Sequence, residues 1–131
     1  MIEILKVFGL AESVYTYQSP SGFSRENRIA PQSMALVLKN IHDQAKIYPE
    51  FAAALPIGGV DGTLKSRMKS LSASAQVRAK TGLLNGVAGL GGYATNADGV
   101  QYTFVFLFNG RPALGDDARQ LFDRFATTLV E

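Results

Sequence analysis

The sequence predicts an α/β fold in which a three-strand antiparallel meander is sandwiched by helices. Three observations carry that expectation. Strand-like runs follow one another between residues 76 and 109, the last of them is apolar on both faces, and amphipathic helical stripes stand before and after them. In the stretch 101–109, Tyr102, Phe104, Phe106 and Phe108 alternate with Thr103, Val105 and Leu107, so each face needs a cover.

Taken in order, residues 1–10 suit a short helix closing at Gly9, and VYTYQ (14–18) reads as a strand that SPSG breaks. Pro31 is well placed at a helix N1 position. It opens a helix expected over 31–46, because Met34, Val37, Leu38, Ile41 and Ala45 recur on one face. Residues 49–54 suit a helical turn before a loop containing Pro56, Gly58, Gly59 and Gly62, and Thr63 is placed to cap a short helix through about Lys69. A small-residue linker, SLSAS (70–74), leads into the strand QVRAKT (76–81) and then a glycine-rich strand from Val87 to Thr95. Asn96, Ala97, Asp98 and Gly99 supply a hairpin turn into 101–109. The final helix starts at Asp116 or Asp117, with carboxylates at its positive end and a stripe of Ala118, Leu121, Phe122, Phe125 and Leu129.

A chain of 131 residues fits one domain, 1–131, and can bury roughly two-thirds of its unfolded surface. With 47% apolar and 18% charged residues it reads as a folded body. Without cysteine, neither a disulfide framework nor a thiolate metal site can be proposed, and no carboxylate cluster has metal-ligand spacing, so no metal or other cofactor is expected. No apolar run approaches the ~18 residues of a membrane span, and Glu3 stands where a secretory leader carries only positive charge. The net charge of +2 is too small to imply nucleic acid, which is not an expected partner. Between Gly62 and Ala97, however, the charged residues are Lys65, Arg67, Lys69, Arg78 and Lys80, all positive. Two interpretations stand: an anion-attracting surface, whose weaker version is nucleic-acid binding tested by salt dependence, or a solvated helix face followed by a basic strand.

Lys80, Thr81 and Gly82 form KTG at the end of the strand expected over 76–81. Lysine supplies a positive charge and threonine a hydroxyl where a peptide carboxylate can dock. Glycine lets a substrate backbone approach, and an open strand edge can pair with it.

Other segments extend the pattern. SPSGFSRENRIAP (19–31), LPIGGVDGTLKSRM (55–68) and VRAKTGLLNGVAGLGGYATNADG (77–99) occur in one order and are followed by an apolar strand and a closing helix. Together they resemble the C-terminal portion of the penicillin-binding D-alanyl-D-alanine carboxypeptidases of the serine-type, domain-inserted class, from about residue 13 to the end. The resemblance implies a partial β-lactamase/transpeptidase-like fold. By it, Lys80 and Thr81 would hold the terminal carboxylate of a peptidoglycan stem peptide or of a β-lactam, Gly82 would allow close approach, and the N–H of Leu83 would be one oxyanion-hole donor. Family members often carry Thr or Ser where Leu83 stands, so a side-chain hydroxyl is lost while the main-chain donor is kept.

The family also needs a serine in SxxK and an SxN motif. SxN does not occur. The one SxxK match, Ser66-Arg67-Met68-Lys69, falls inside the segment that resembles GTL..R and is expected to be a solvent-facing turn, so no catalytic nucleophile is assigned. His42 is expected at the surface, and Gly86, Gly89, Gly91 and Gly92 fit strand twist and close packing better than phosphate binding. Asp61 and Thr63 are expected as turn and cap residues. Arg78 shares a strand face with Lys80 and either reinforces its potential or pairs with an acid.

The leading expectation is thus a C-terminal portion of a carboxypeptidase or endopeptidase on peptidoglycan, periplasmic in its parent protein and inert by itself. Its rival is a non-catalytic module that docks a peptide or partner on the same edge. In the resembled family the last strand pairs with an N-terminal strand, so residues 101–109 are expected to expose an apolar edge and to self-associate.

Overall fold

The computed structural model describes residues 2–70 and 75–131. It is a mixed α/β structure. Helix α1 (Ile2–Val7) closes at Gly9, whose φ of +86° is a left-handed value that glycine adopts freely. Of the strand expected over 14–18 only β1 (Tyr15–Thr16) forms, and it pairs with β2 (Arg28–Ile29), which no sequence pattern announced. Helix α2 (Pro31–His42) starts at its proline as expected but ends four residues before 46. Its last carbonyls are taken by tight turns, Gln44 N–H donating to Ile41 and Ile47 N–H to Gln44, and α3 (Tyr48–Ala53) begins in their place.

Strands β3 (Val77–Leu84), β4 (Val87–Thr95) and β5 (Gln101–Asn109) form an antiparallel sheet in the order β3-β4-β5. The expected strand over 76–81 therefore runs three residues further and places KTG in its middle, because Leu83 and Leu84 still find partners in Ala88 and Val87. The β4–β5 turn is fixed by Asn96, whose side-chain oxygen accepts from the N–H groups of Asp98 and Val100. The linker expected over 70–74 lies, beyond Ser70, outside the described residues.

Helix α4 (Gly115–Thr128) covers one face of the sheet and α2 crosses the other. The core between sheet and α4 is built on Val77, Ala79, Ala88, Leu90, Ala94, Phe104, Ala118, Phe122 and Ala126, with Phe106 stacked on Phe122 at 5.5 Å. The stripe expected on α4 is rotated: Ala118, Phe122, Ala126 and Val130 are buried, whereas Leu121 and Phe125 are 43% and 49% exposed. The small residues Ala118 and Ala126 let the helix lie close to β4, which turns the bulkier Leu121 and Phe125 to the flank.

No α-helix forms through Lys69. A single 3₁₀ turn, Gly62–Leu64, is followed by non-helical chain in which Met68 has φ +53°, a left-handed value that interrupts helix. Among the described residues no helix is long and apolar enough to cross a membrane.

Candidate functional site

Backbone direction decides what the KTG strand offers. The carbonyl of Val77 accepts from Gly58 N–H at 2.8 Å, and Ala79 N–H donates to Pro56 at 3.0 Å, flanking an isolated bridge between Ile57 and Arg78. Those groups point away from β4, and in an antiparallel strand the same orientation recurs at every second residue. The N–H groups of Thr81 and Leu83 therefore also face outward. Segment 56–58 covers this edge only as far as Ala79, and among the described residues no other strand pairs with β3 beyond it. The donors at Thr81 and Leu83 thus stand on open edge, and the Leu83 residue is 59% exposed.

The side chains add charge and hydroxyls. Lys80 is exposed and its Nζ donates to the carbonyl of Thr81 at 2.5 Å, so the ammonium folds over the same edge. Thr81 Oγ1 donates to Thr63 Oγ1 at 3.0 Å. Gly82 lies opposite Gly89, and a Cβ built on it would meet nothing closer than Gly89 N at 4.0 Å. Neither packing nor a positive φ requires glycine at 82. The room above it is open to a ligand.

Thr63 is the site residue that sequence reasoning assigned elsewhere. It was expected to cap a helix, yet it lies inside the 3₁₀ turn with its hydroxyl at Thr81. No local signal links positions 18 residues apart. Its loop is held from three sides: Asp61 Oδ1 accepts from Ile57 N–H at 2.7 Å, Leu64 is fully buried, and Arg67 forks onto Asp123 of α4 through Nε at 3.0 and 3.1 Å and Nη2 at 2.6 Å. Asp61 is thus a turn residue. Ser66 and Lys69 are both exposed, while Arg67 between them turns inward.

Among the described residues Arg78 pairs with no acid; its Nη1 reaches the Ala52 carbonyl of α3 at 3.5 Å. His42 is exposed, with its ring edge-on to Tyr48 at 4.6 Å and Nδ1 3.3 Å from Asp43. Hydrogen bonds from Lys39, and then from His42, hold the Asp43 carboxyl below the usual carboxylate range. At the other end of β3, Arg25 Nη2 donates to the Asn85 carbonyl at 2.6 Å, tying the loop 19–28 to the β3–β4 turn. A cavity of about 590 Å³ opens there between Arg25, Met34, Leu84 and Leu107. A cavity of about 880 Å³ lies between Leu10, Val14 and Leu36 and takes in none of residues 80–83.

The three sequence segments singled out, 19–31, 55–68 and 77–99, thus meet on the β3–β4 hairpin. Chemically, its edge can dock an extended chain ending in an anion: outward N–H groups for the backbone, hydroxyls and an ammonium for the charge.

Comparison with known proteins bears on this geometry. A sequence model of the family described as D-Ala-D-Ala carboxypeptidase 3 (S13) matches residues 1–129. The D-alanyl-D-alanine carboxypeptidase DacB of Haemophilus influenzae is 42% identical over 93 residues, 69% of this chain and 19% of that protein. A solved structure of penicillin binding protein 4 from the same organism, complexed with a novel β-lactam, superposes with a TM-score of 0.80 at 32% identity, over 95% of this chain and 32% of that one. The β-lactamase of Sphaerobacter thermophilus shares the fold, with a TM-score of 0.60 at 20% identity over 99% of this chain and 53% of its own. The chain spans about a fifth of the length of the Haemophilus carboxypeptidase.

Proposed function

This chain belongs to the D-Ala-D-Ala carboxypeptidase 3 (S13) family, and on that premise we propose that it is the carboxylate-gripping C-terminal part of a serine-type peptidase acting on peptidoglycan stem peptides. The observation that carries the proposal is the open edge of β3 at Thr81–Leu83, left bare where segment 56–58 stops. In that role Lys80 and Thr81 hold the substrate's terminal carboxylate, Gly82 admits its backbone, and Leu83 N–H donates to the oxyanion that forms on the attacked carbonyl. Those donors face outward without side-chain help, which is why leucine at 83 is compatible with the task. The parent enzyme works outside the cytoplasm, as peptidoglycan chemistry requires, and takes carboxypeptidase or endopeptidase substrates. A β-lactam would occupy the same carboxylate site.

The nucleophile and its lysine come from outside residues 1–131. Ser66 is not assigned as nucleophile, because the SxxK match lies in non-helical chain after the 3₁₀ turn, with Met68 at φ +53°, and not on a helix, where positions i and i+3 are neighbours. The isolated chain mixed with a fluorescent penicillin is expected to show no covalent label. Stoichiometric labelling at Ser66 would overturn this assignment. Titration with a peptide ending in D-Ala-D-Ala separates the rival, non-enzymatic module: binding that Lys80→Ala abolishes shows a working site, and the residues that would then be sought are those of the missing catalytic half.

A second expectation concerns assembly. Strand β5 pairs with β4 alone among the described strands, and Phe125 stays half exposed beside Phe106, 5.7 Å away. An edge of this kind recruits another strand. The isolated chain is expected to self-associate through 101–109, and light scattering that returns a monodisperse monomer would refute it.

A further inference from the structure

We propose that Thr63 is a positioning residue for the carboxylate site: it forms a two-hydroxyl relay with Thr81 that turns over when an anionic ligand binds. The proposal rests on the assignment of Thr81 to a carboxylate and adds to it a residue from a different loop.

A threonine hydroxyl has one proton to donate and lone pairs to accept with. In the free chain Thr81 Oγ1 spends that proton on Thr63 Oγ1, 3.0 Å away. A carboxylate only accepts, so Thr81 can serve it only by swinging the proton outward. It would then lose its bond to Thr63 unless Thr63 donates in return. Thr63 can do so by turning its side chain, since its Oγ1 already stands 3.0 Å from Thr81 Oγ1 in a geometry that has Thr81 as the donor. Binding then converts Thr81→Thr63 into Thr63→Thr81→carboxylate, a chain in which each bond polarises the next. The hydroxyl of Thr81 is never without a partner in either state.

What makes Thr63 more than a chance neighbour is how its position is held. It is one residue from Leu64, which is fully buried, and four residues before Arg67, which is forked onto Asp123. Asp61 closes the turn on the other side through Ile57 N–H. Ile57 in turn bridges Arg78 of β3, two residues before Lys80. The loop is therefore registered to β3 by its backbone at one end and to α4 by an ion pair at the other, and Thr63 is presented to Thr81 between those anchors. Thr63 itself is exposed, so its hydroxyl carries none of this anchoring.

The test uses the full chain and two peptides, one ending in D-Ala-D-Ala with a free carboxylate and one with that terminus amidated. Wild type, Thr63→Val, Thr63→Ser and Lys80→Ala are titrated with each by calorimetry, and folding is checked by thermal melting. Thr63→Val is expected to weaken binding of the free acid about three- to tenfold, with Thr63→Ser restoring it, because serine keeps the hydroxyl. Against the amide, wild type and Thr63→Val are expected to bind alike, which a merely structural role for Thr63 would not produce. Equal affinity of wild type and Thr63→Val for the free acid, with Lys80→Ala abolishing it, overturns the relay and leaves the site assignment standing. A Thr63→Val penalty that persists on the amide also overturns it. Absence of binding by wild type overturns the site assignment itself, and the relay with it.

Discussion

Gly92→Ala is expected to cost about 3 kcal/mol of stability or more, measured by urea unfolding. Gly92 lies opposite Ala79 in the β3–β4 ladder, and a Cβ added to it would fall 2.1 Å from the Arg78 carbonyl oxygen and 2.7 Å from Ala79 Cα. Both obstacles are backbone, so no rotamer change relieves them. Nor can β3 shift outward freely, because Ala79 N–H is bonded to Pro56 on its far edge. The strand that carries Lys80 and Thr81 is wedged between those constraints, and the substitution should displace the site along with the fold. Gly82→Ala on the same hairpin is the internal control. Its Cβ meets only open space, and it is expected to unfold within about 1 kcal/mol of wild type. Equal midpoints for wild type and Gly92→Ala would show that β3 and β4 are not in this register.

The second large effect is expected at Arg67→Ala, about 2–3 kcal/mol. The pair with Asp123 is largely withdrawn from water, the side chains being 11% and 22% exposed, and the guanidinium makes two-pronged contact with the carboxylate. Removing the cation leaves Asp123 poorly hydrated and unpaired against α4. The residual exposure of Asp123 is the reason for placing the loss below that of a fully buried pair. Arg67→Lys should recover only part of it, since a single ammonium cannot reproduce the fork. Chemical denaturation of the two variants checks this, and Arg67→Ala as stable as wild type would mean the loop 61–68 is not anchored on α4.

Much of the architecture was legible from short-range pattern. A strand apolar on both faces must be covered twice, and Phe104 and Phe106 do face α4 while α2 crosses the opposite side of β5. The Asn96–Gly99 turn, the proline opening of α2 and the three-strand meander follow from local chemistry that needs no distant partner. Where local signals misled, a tertiary contact had outweighed them. The stripe on α4 rotated because Ala118 and Ala126 allow closer approach to the sheet than the larger residues counted in the pattern. The helix expected to follow Thr63 did not form, because Leu64 and Arg67 are drawn to the core and to Asp123.

By itself the sequence determined the meander, its helical covers and the presence of Lys80-Thr81-Gly82 on a strand, since each depends on residue type and on periods of two or 3.6 positions. Only the tertiary structure decided which part of that strand stays open and which hydroxyl stands beside it. Among the described residues the edge is bare at Thr81–Leu83 because segment 56–58 bonds to Val77 and Ala79 and stops there, and Thr63 reaches Thr81 because its loop is pinned at both ends. Those facts belong to contacts between residues far apart along the chain, and the free energy that fixes them comes from burial and ion pairing that no local window contains.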